Sequence, residues 1–201
     1  MLDRSIPYCN VIMKCTRWDK TSVQVKDGYS IRSYRPGDEA AWARLEHGIG
    51  DFDSYEEALS YFTRTYLQGD SQELERIFFA LETASGQVCG SVASWRDLRN
   101  GQPISSLHWL IVDPSHQGNG LGKALLQTAM NWYLEASELP VYLHTQPWSF
   151  RAIRLYAGQG FRMQKTDTFS HYENQYSQAM DTLQELLPQE AYQRLLQQSE
   201  D

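Results

Sequence analysis

A strand-like apolar run, a proline and three glycines within five positions mark where this chain could do chemistry. Val112-Asp113-Pro114-Ser115-His116-Gln117-Gly118-Asn119-Gly120-Leu121-Gly122-Lys123 follows the run Ser106–Val112 and opens a helical pattern. Glycine removes the side chain where a ligand must approach the backbone. The helix that follows presents unpaired N–H groups and the positive end of its dipole, a combination that holds phosphate. Two familiar phosphate loops do not fit. A Walker loop needs glycine five residues before its Gly-Lys pair and Ser or Thr after the lysine, and Gln117 and Ala124 stand there. The dinucleotide fingerprint needs glycine at position 123, which is Lys123.

The elements around this loop can be read from periodicity. Tyr29–Tyr34, Ile77–Leu81, Val88–Trp95, Ser106–Val112 and Val141–Thr145 read as strands, and the turn Ala84-Ser85-Gly86 makes a hairpin of the second and third. Ser106–Val112 is almost continuously apolar, as a central strand buried on both faces is. Helices are expected over 39–47 with Asp38 as cap, and from the capping box Ser54-Tyr55-Glu56-Glu57 to about Tyr66. Another is expected over 120–136, with an apolar stripe at Leu121, Leu125, Ala129 and Trp132. Further helices fit 149–157, 175–187 and 189–198, with Pro188 at the start of the last. Tyr8–Lys14 is one further strand candidate.

A second stretch, Ser149-Phe150-Arg151-Ala152-Ile153-Arg154-Leu155-Tyr156 continued to Gly160-Phe161, completes a recognisable pair of motifs. Gln117-Gly118-Asn119-Gly120-Leu121-Gly122 resembles the Q/R-x-x-G-x-G/A signature of the GNAT superfamily of acyl-CoA-dependent N-acetyltransferases. The second stretch resembles that family's N-x-x-A-x-x-L-Y-x-x-x-G-F, with Ser149 where asparagine is usual. The resemblance spans roughly residues 29–166. It implies an α/β fold with a mixed, mostly antiparallel central sheet flanked by helices. Around it the sequence divides into an N-terminal extension over 1–28, an acyltransferase domain over 29–172 and a C-terminal helical tail over 173–201.

The resemblance also implies a reaction, transfer of an acetyl group from acetyl-CoA to a primary amine of a small-molecule or peptide acceptor, with coenzyme A as cosubstrate; no metal is expected. Backbone of Gln117, Gly118, Asn119, Gly120, Leu121, Gly122 and Lys123 would hold the diphosphate. Leu110, Ile111 and Val112 would pair with the pantetheine arm on a strand that bulges in this family, and Ser149 would cap its helix and approach the same arm. Tyr156 takes the family position of the general acid, since a phenol with a pKa of about 10 can protonate a leaving thiolate. The strand before the loop carries no carboxylate where many relatives place a base. His108 shares a face with Ser106 and Leu110, and imidazole titrates near neutrality. His144 and Glu46 are alternatives, as is direct attack by an amine already neutralised in its pocket.

Composition limits the partner. Eighteen Lys and Arg against 25 Asp and Glu give a formal charge of −7, which argues against nucleic acid. Glu46, Asp51, Asp53, Glu56 and Glu57 cluster without a cation between them and would draw a protonated amine, or else simply favour a helix N-terminus. Trp95, Trp109 and Trp148 read as core packing before pocket wall. The five histidines form no close helical pair, Cys9, Cys15 and Cys89 show no zinc spacing, and no G-x-S-x-G elbow occurs. Reduced thiols, no signal-like N-terminus and no long apolar run lead to an expectation of a cytoplasmic protein that does not enter a membrane. Two alternatives to catalysis stay open: an acyl-CoA-binding sensor without turnover, and a homodimer built through residues 173–198.

Overall fold

The computed structural model describes residues 3–68 and 71–201. Seven strands are hydrogen-bonded in the order β2 (29–33), β3 (77–82), β4 (88–99), β5 (102–112), β6 (141–145), β1 (11–15) and β7 (162–163), a mixed sheet flanked by helices, as the motif resemblance implied. The chain divides into two compact units. The first comprises Lys20–Trp95 and His108–Glu135; the second comprises the stretch ending at Asp19, Arg96–Leu107 and Ala136–Asp201.

In the first unit, β2 (Tyr29–Ser33) pairs antiparallel with β3 (Ile77–Glu82), and β3 with the first part of β4 (Val88–Arg99). Three helices, α1 (Asp38–Ile49), α2 (Tyr55–Tyr66) and α4 (Leu121–Glu135), belong to this unit, with the single turn α3 (Ser71–Leu74). The capping box behaves as expected at its first residue, where Ser54 Oγ accepts from Glu57 N at 3.1 Å. Asp38 does not cap α1. Gly37 is the N-cap at φ 103°, and Asp38 turns back to take a fork from Arg32 at 2.5 and 2.9 Å. Ala58, Phe62 and Tyr66 recur every four residues on α2 and are fully buried with Trp42, Ile77 and Phe79. Each large ring so buried contributes about 1.5–3 kcal/mol. On α4 the stripe runs Leu121, Leu125, Ala129 and then Tyr133, not the expected Trp132. A four-residue step from Ala129 lands on Tyr133, and Trp132 instead takes the Arg76 guanidinium 4.3 Å above its ring.

In the second unit the first part of β5 (Gln102–Val112) runs parallel to β6 (Val141–Thr145), which pairs antiparallel with β1 (Val11–Cys15); β1 in turn pairs with the short β7 (Arg162–Met163). β1, the strand anticipated at 8–14, is an interior strand with Val11, Met13 and Cys15 at 0% exposure. Helices α5 (Phe150–Gly158), α6 (Tyr176–Leu186) and α7 (Gln189–Gln198) complete the unit. Both β4 and β5 are longer than the sequence suggested. Asn100 and Gly101, at φ 51° and 74°, form the two-residue turn that carries them on. Asp167 is the polar hub here: it accepts from Lys14 at 2.9 Å, Tyr142 at 2.8 Å and Arg99 at 2.6 Å.

Candidate active site

The glycine-rich segment leaves β5 and enters α4 through one turn of 3-10 helix, Pro114–His116. Asp113 shapes the entry, its Oδ1 accepting from Ser115 N at 2.9 Å and Ser115 Oγ at 2.5 Å. Burial raises the Asp113 carboxyl, but the hydrogen bonds from Ser115 outweigh it and hold the group below the usual carboxylate range. The glutamine of the signature holds the loop in shape, since Gln117 Nε2 donates to the Val112 carbonyl at 3.1 Å and ties the loop to the strand end. Asn119 Nδ2 donates to the His116 carbonyl at 2.9 Å. Gly118 and Gly120 lie at φ 78° and 77°, and a Cβ on either would meet only open space. That conformation is costly for other residues and leaves the backbone bare on the loop's outer side. Leu121 anchors the new helix in the core at 1% exposure, followed by Gly122 and the exposed Lys123. The first turn of such a helix has N–H groups without helical acceptors.

β5 itself is interrupted one step upstream. Trp109 adopts φ 49°, left-handed backbone inside a strand, with His108 before it and Leu110, Ile111 and Val112 after it. Such a residue persists only where its surroundings hold it. Here Trp109 Nε1 donates to Tyr61 Oη at 3.3 Å, and its ring meets Phe52 and Tyr61 at 5.4 Å each. Trp95 and Trp109 both pack against the core cluster of this unit. Downstream, the Ile111 carbonyl passes so near Gly90 that a Cβ there would lie 2.8 Å away. His108 Nδ1 lies 3.3 Å from Tyr66 Oη, at the end of α2.

The other two base candidates stand differently. Glu46 is 1% exposed, and burial together with the neighbouring Asp51 pushes its carboxyl well above the ordinary range. His144, in the second unit, stacks on Tyr172 at 3.8 Å and 9°, with Nε2 at 2.9 Å from Asn10 Oδ1.

Tyr156 lies on α5 at 6% exposure, its ring 5.9 Å from Phe161. Ser149 occupies the N-cap position of α5, but its hydroxyl makes no cap hydrogen bond. The turn Pro147–Ser149 precedes it, with Ser149 at φ −89° and ψ 28°, so its backbone is already wound and not the extended form that suits a capping hydroxyl. Sequence reasoning missed Tyr66 and Tyr61 as supports of His108 and Trp109: Tyr66 marked only the end of a helix, and nothing singled out Tyr61. The three cysteines are unpaired and buried, and burial lifts the Cys15 and Cys89 thiols to about 11.

This strand, loop and helix fall inside residues 40–161, which match the family model described as the Acetyltransferase (GNAT) family. The chain belongs to that family. A mycothiol acetyltransferase of Acidothermus cellulolyticus is 30% identical over 158 residues, covering 72% of this chain and 48% of the relative. A mycothiol acetyltransferase of Streptomyces avermitilis is 30% identical over 162 residues, covering 78% of this chain and 50% of its own. The chain therefore spans about half the length of these relatives. Among solved structures, a GCN5-related N-acetyltransferase from Sphaerobacter thermophilus superposes with a TM-score of 0.60 at 24% identity, over 80% of this chain and 51% of that one. No helix among the described residues is long and apolar enough to cross a membrane.

Proposed function

We propose that the protein is an N-acetyltransferase moving an acetyl group from acetyl-CoA directly to a primary amine. The observation that carries the proposal is the loop itself, with Gly118 and Gly120 both left-handed and open on one side at the N-terminus of α4. Backbone N–H groups from Gln117 to Gly122, aided by Lys123, would take the diphosphate. The strand beyond Trp109 (Leu110, Ile111, Val112) would pair with the pantetheine amides, and Ser149 would approach the same arm. In the reaction the amine nitrogen attacks the thioester carbonyl. The C–N bond forms, the C–S bond breaks, the amine proton goes to His108 and the thiolate takes a proton from Tyr156. The relatives named mycothiol acetyltransferase support a small-molecule acceptor, and the acids at Asp51 and Asp53 favour a cationic one.

The test is release of free thiol from acetyl-CoA in the presence of a broad amine panel. Amine-dependent thiol release with a matching acetylated product supports the reading. Tight binding of acetyl-CoA with no turnover on any amine would make the protein a sensor instead.

A further inference from the structure

The segment between β1 and β2 belongs to no helix or strand, yet it is pinned along α4 at three levels. Lys20 Nζ meets Glu135 Oε1 at 2.7 Å, at the last residue of the helix. Thr21 and Asn131 exchange two hydrogen bonds, Thr21 N to Asn131 Oδ1 at 3.0 Å and Asn131 Nδ2 to the Thr21 carbonyl at 2.7 Å. At the far end, Lys26 Nζ donates to Asn119 Oδ1 at 2.7 Å, inside the glycine-rich loop. The lengths agree. The 15 residues of α4 cover about 22 Å at 1.5 Å each, with the loop residues Asn119 and Gly120 beyond. Six residues of extended chain cover roughly 20 Å, and the lysine side chains supply the rest. Thr21, Val23 and Val25 are partly covered while Ser22, Gln24 and Lys26 are exposed, the alternation of an extended strap lying on a surface. Tyr29, just beyond, sets its ring against the edge of His116 at 6.0 Å.

We infer that this strap makes Lys26 a cofactor-anchoring residue, delivering its ammonium to the loop to hold a phosphate of coenzyme A. The inference rests on the reading that the loop binds acetyl-CoA. Asn119 is oriented by its own donation to the His116 carbonyl, so its Oδ1 faces the lysine and holds Nζ at the glycine-rich loop. An amide oxygen is a neutral acceptor. A phosphate oxygen is a charged one and forms the stronger bond with an ammonium. Lys123 sits on the first turn of α4, so two cations from different parts of the chain flank one loop. Lys26 lies outside both family motifs, and only the strap brings it there.

The experiment is titration of acetyl-CoA and of 3′-dephospho-acetyl-CoA into the full chain and into Lys26→Gln and Lys26→Arg, at two salt concentrations. Melting of each variant serves as the fold control. Lys26→Gln should weaken acetyl-CoA about tenfold and flatten the salt dependence, with Lys26→Arg near the parent. If the loss persists with the dephospho compound, Lys26 holds the diphosphate; if it vanishes, Lys26 holds the 3′-phosphate. Parent-like affinity and salt dependence in Lys26→Gln would overturn the inference while leaving the loop reading intact. Failure of the unaltered protein to bind acetyl-CoA would overturn both.

Discussion

The Tyr66 hydroxyl lies 3.3 Å from Nδ1 of His108, linking the last residue of α2 to the strand residue just before the left-handed Trp109. Tyr66 is itself fully buried, with its ring against Trp95 at 4.7 Å. The contact fixes the orientation of the imidazole from a rigid element, which a base needs if it is to meet a substrate proton at a set distance.

His108→Gln should lower kcat by roughly 10²–10⁴-fold if His108 accepts the amine proton. Tyr66→Phe keeps the ring packed and removes only the hydroxyl. It should lower kcat/KM by less than His108→Gln does. Steady-state kinetics from pH 5 to 9 reads both, and full activity in His108→Gln would assign the proton to another acceptor.

Tyr156→Phe isolates proton donation in the same way. The ring stays beside Phe161, so stability should fall by about 1 kcal/mol or less. Turnover should fall roughly 10²–10⁴-fold while the acetyl-CoA dissociation constant changes less than about threefold. Rapid-quench and binding measurements separate the two, and unchanged turnover would make Tyr156 a core residue.

Glu46 makes a pH prediction for stability. Its folded carboxyl titrates above its unfolded value because of burial and Asp51. The protonated form therefore suits the fold at low pH, and stability is lost as pH rises from about 4.5 through the raised folded value. Oε1 of Glu46 finds no hydrogen-bond partner among the described residues. Glu46→Gln removes the ionisation with little change of shape, so its melting temperature should gain on the parent steadily above about pH 5. Parallel curves from pH 4 to 9 would contradict this.

Asp167 predicts the opposite slope. Burial alone would raise its carboxyl, but hydrogen bonds from Lys14, Tyr142 and Arg99 hold it down at about 2. A depressed folded pKa contributes stability that is present above about pH 4 and lost as pH falls from there toward 2. Asp167→Asn should destabilise the protein at pH 7 by roughly 2 kcal/mol, because Lys14 and Arg99 lose their counter-charge, and should flatten the acid side of the stability profile. Urea unfolding at pH 7, 4 and 3 measures both effects. An unchanged midpoint at pH 7 would show that solvent screens the cluster.

Periodicity locates most helices and strands within a few residues, because the fold relies on single-period patterns such as Leu121, Leu125 and Ala129. The long β4–β5 hairpin escapes it because the sequence reading ends one strand at Trp95 and begins the next at Ser106, although Asn100-Gly101 is a direct signal for a two-residue turn. The place of β1 between β6 and β7 is not legible at all, since pairing over more than 120 residues leaves no local trace. In the candidate site, the glycines and Tyr156 announce themselves by motif. The kink at Trp109 does not, because a tryptophan carries no sign of left-handed backbone and only its contacts with Tyr61 and Phe52 hold it there. Lys26 is equally silent, being an ordinary surface lysine until the strap places it on Asn119.

Calorimetric titration of acetyl-CoA into the protein and into Gly120→Leu tests the central claim most directly. The new side chain points into open space at φ 77°, so the fold should persist at a cost of about 1–2 kcal/mol while the diphosphate seat is blocked. Saturable binding to the parent is expected, with at least a tenfold weaker constant for the variant, about 1.4 kcal/mol, and the variant still folded by melting. Equal affinity in the two proteins, or no binding to the parent, would contradict that claim.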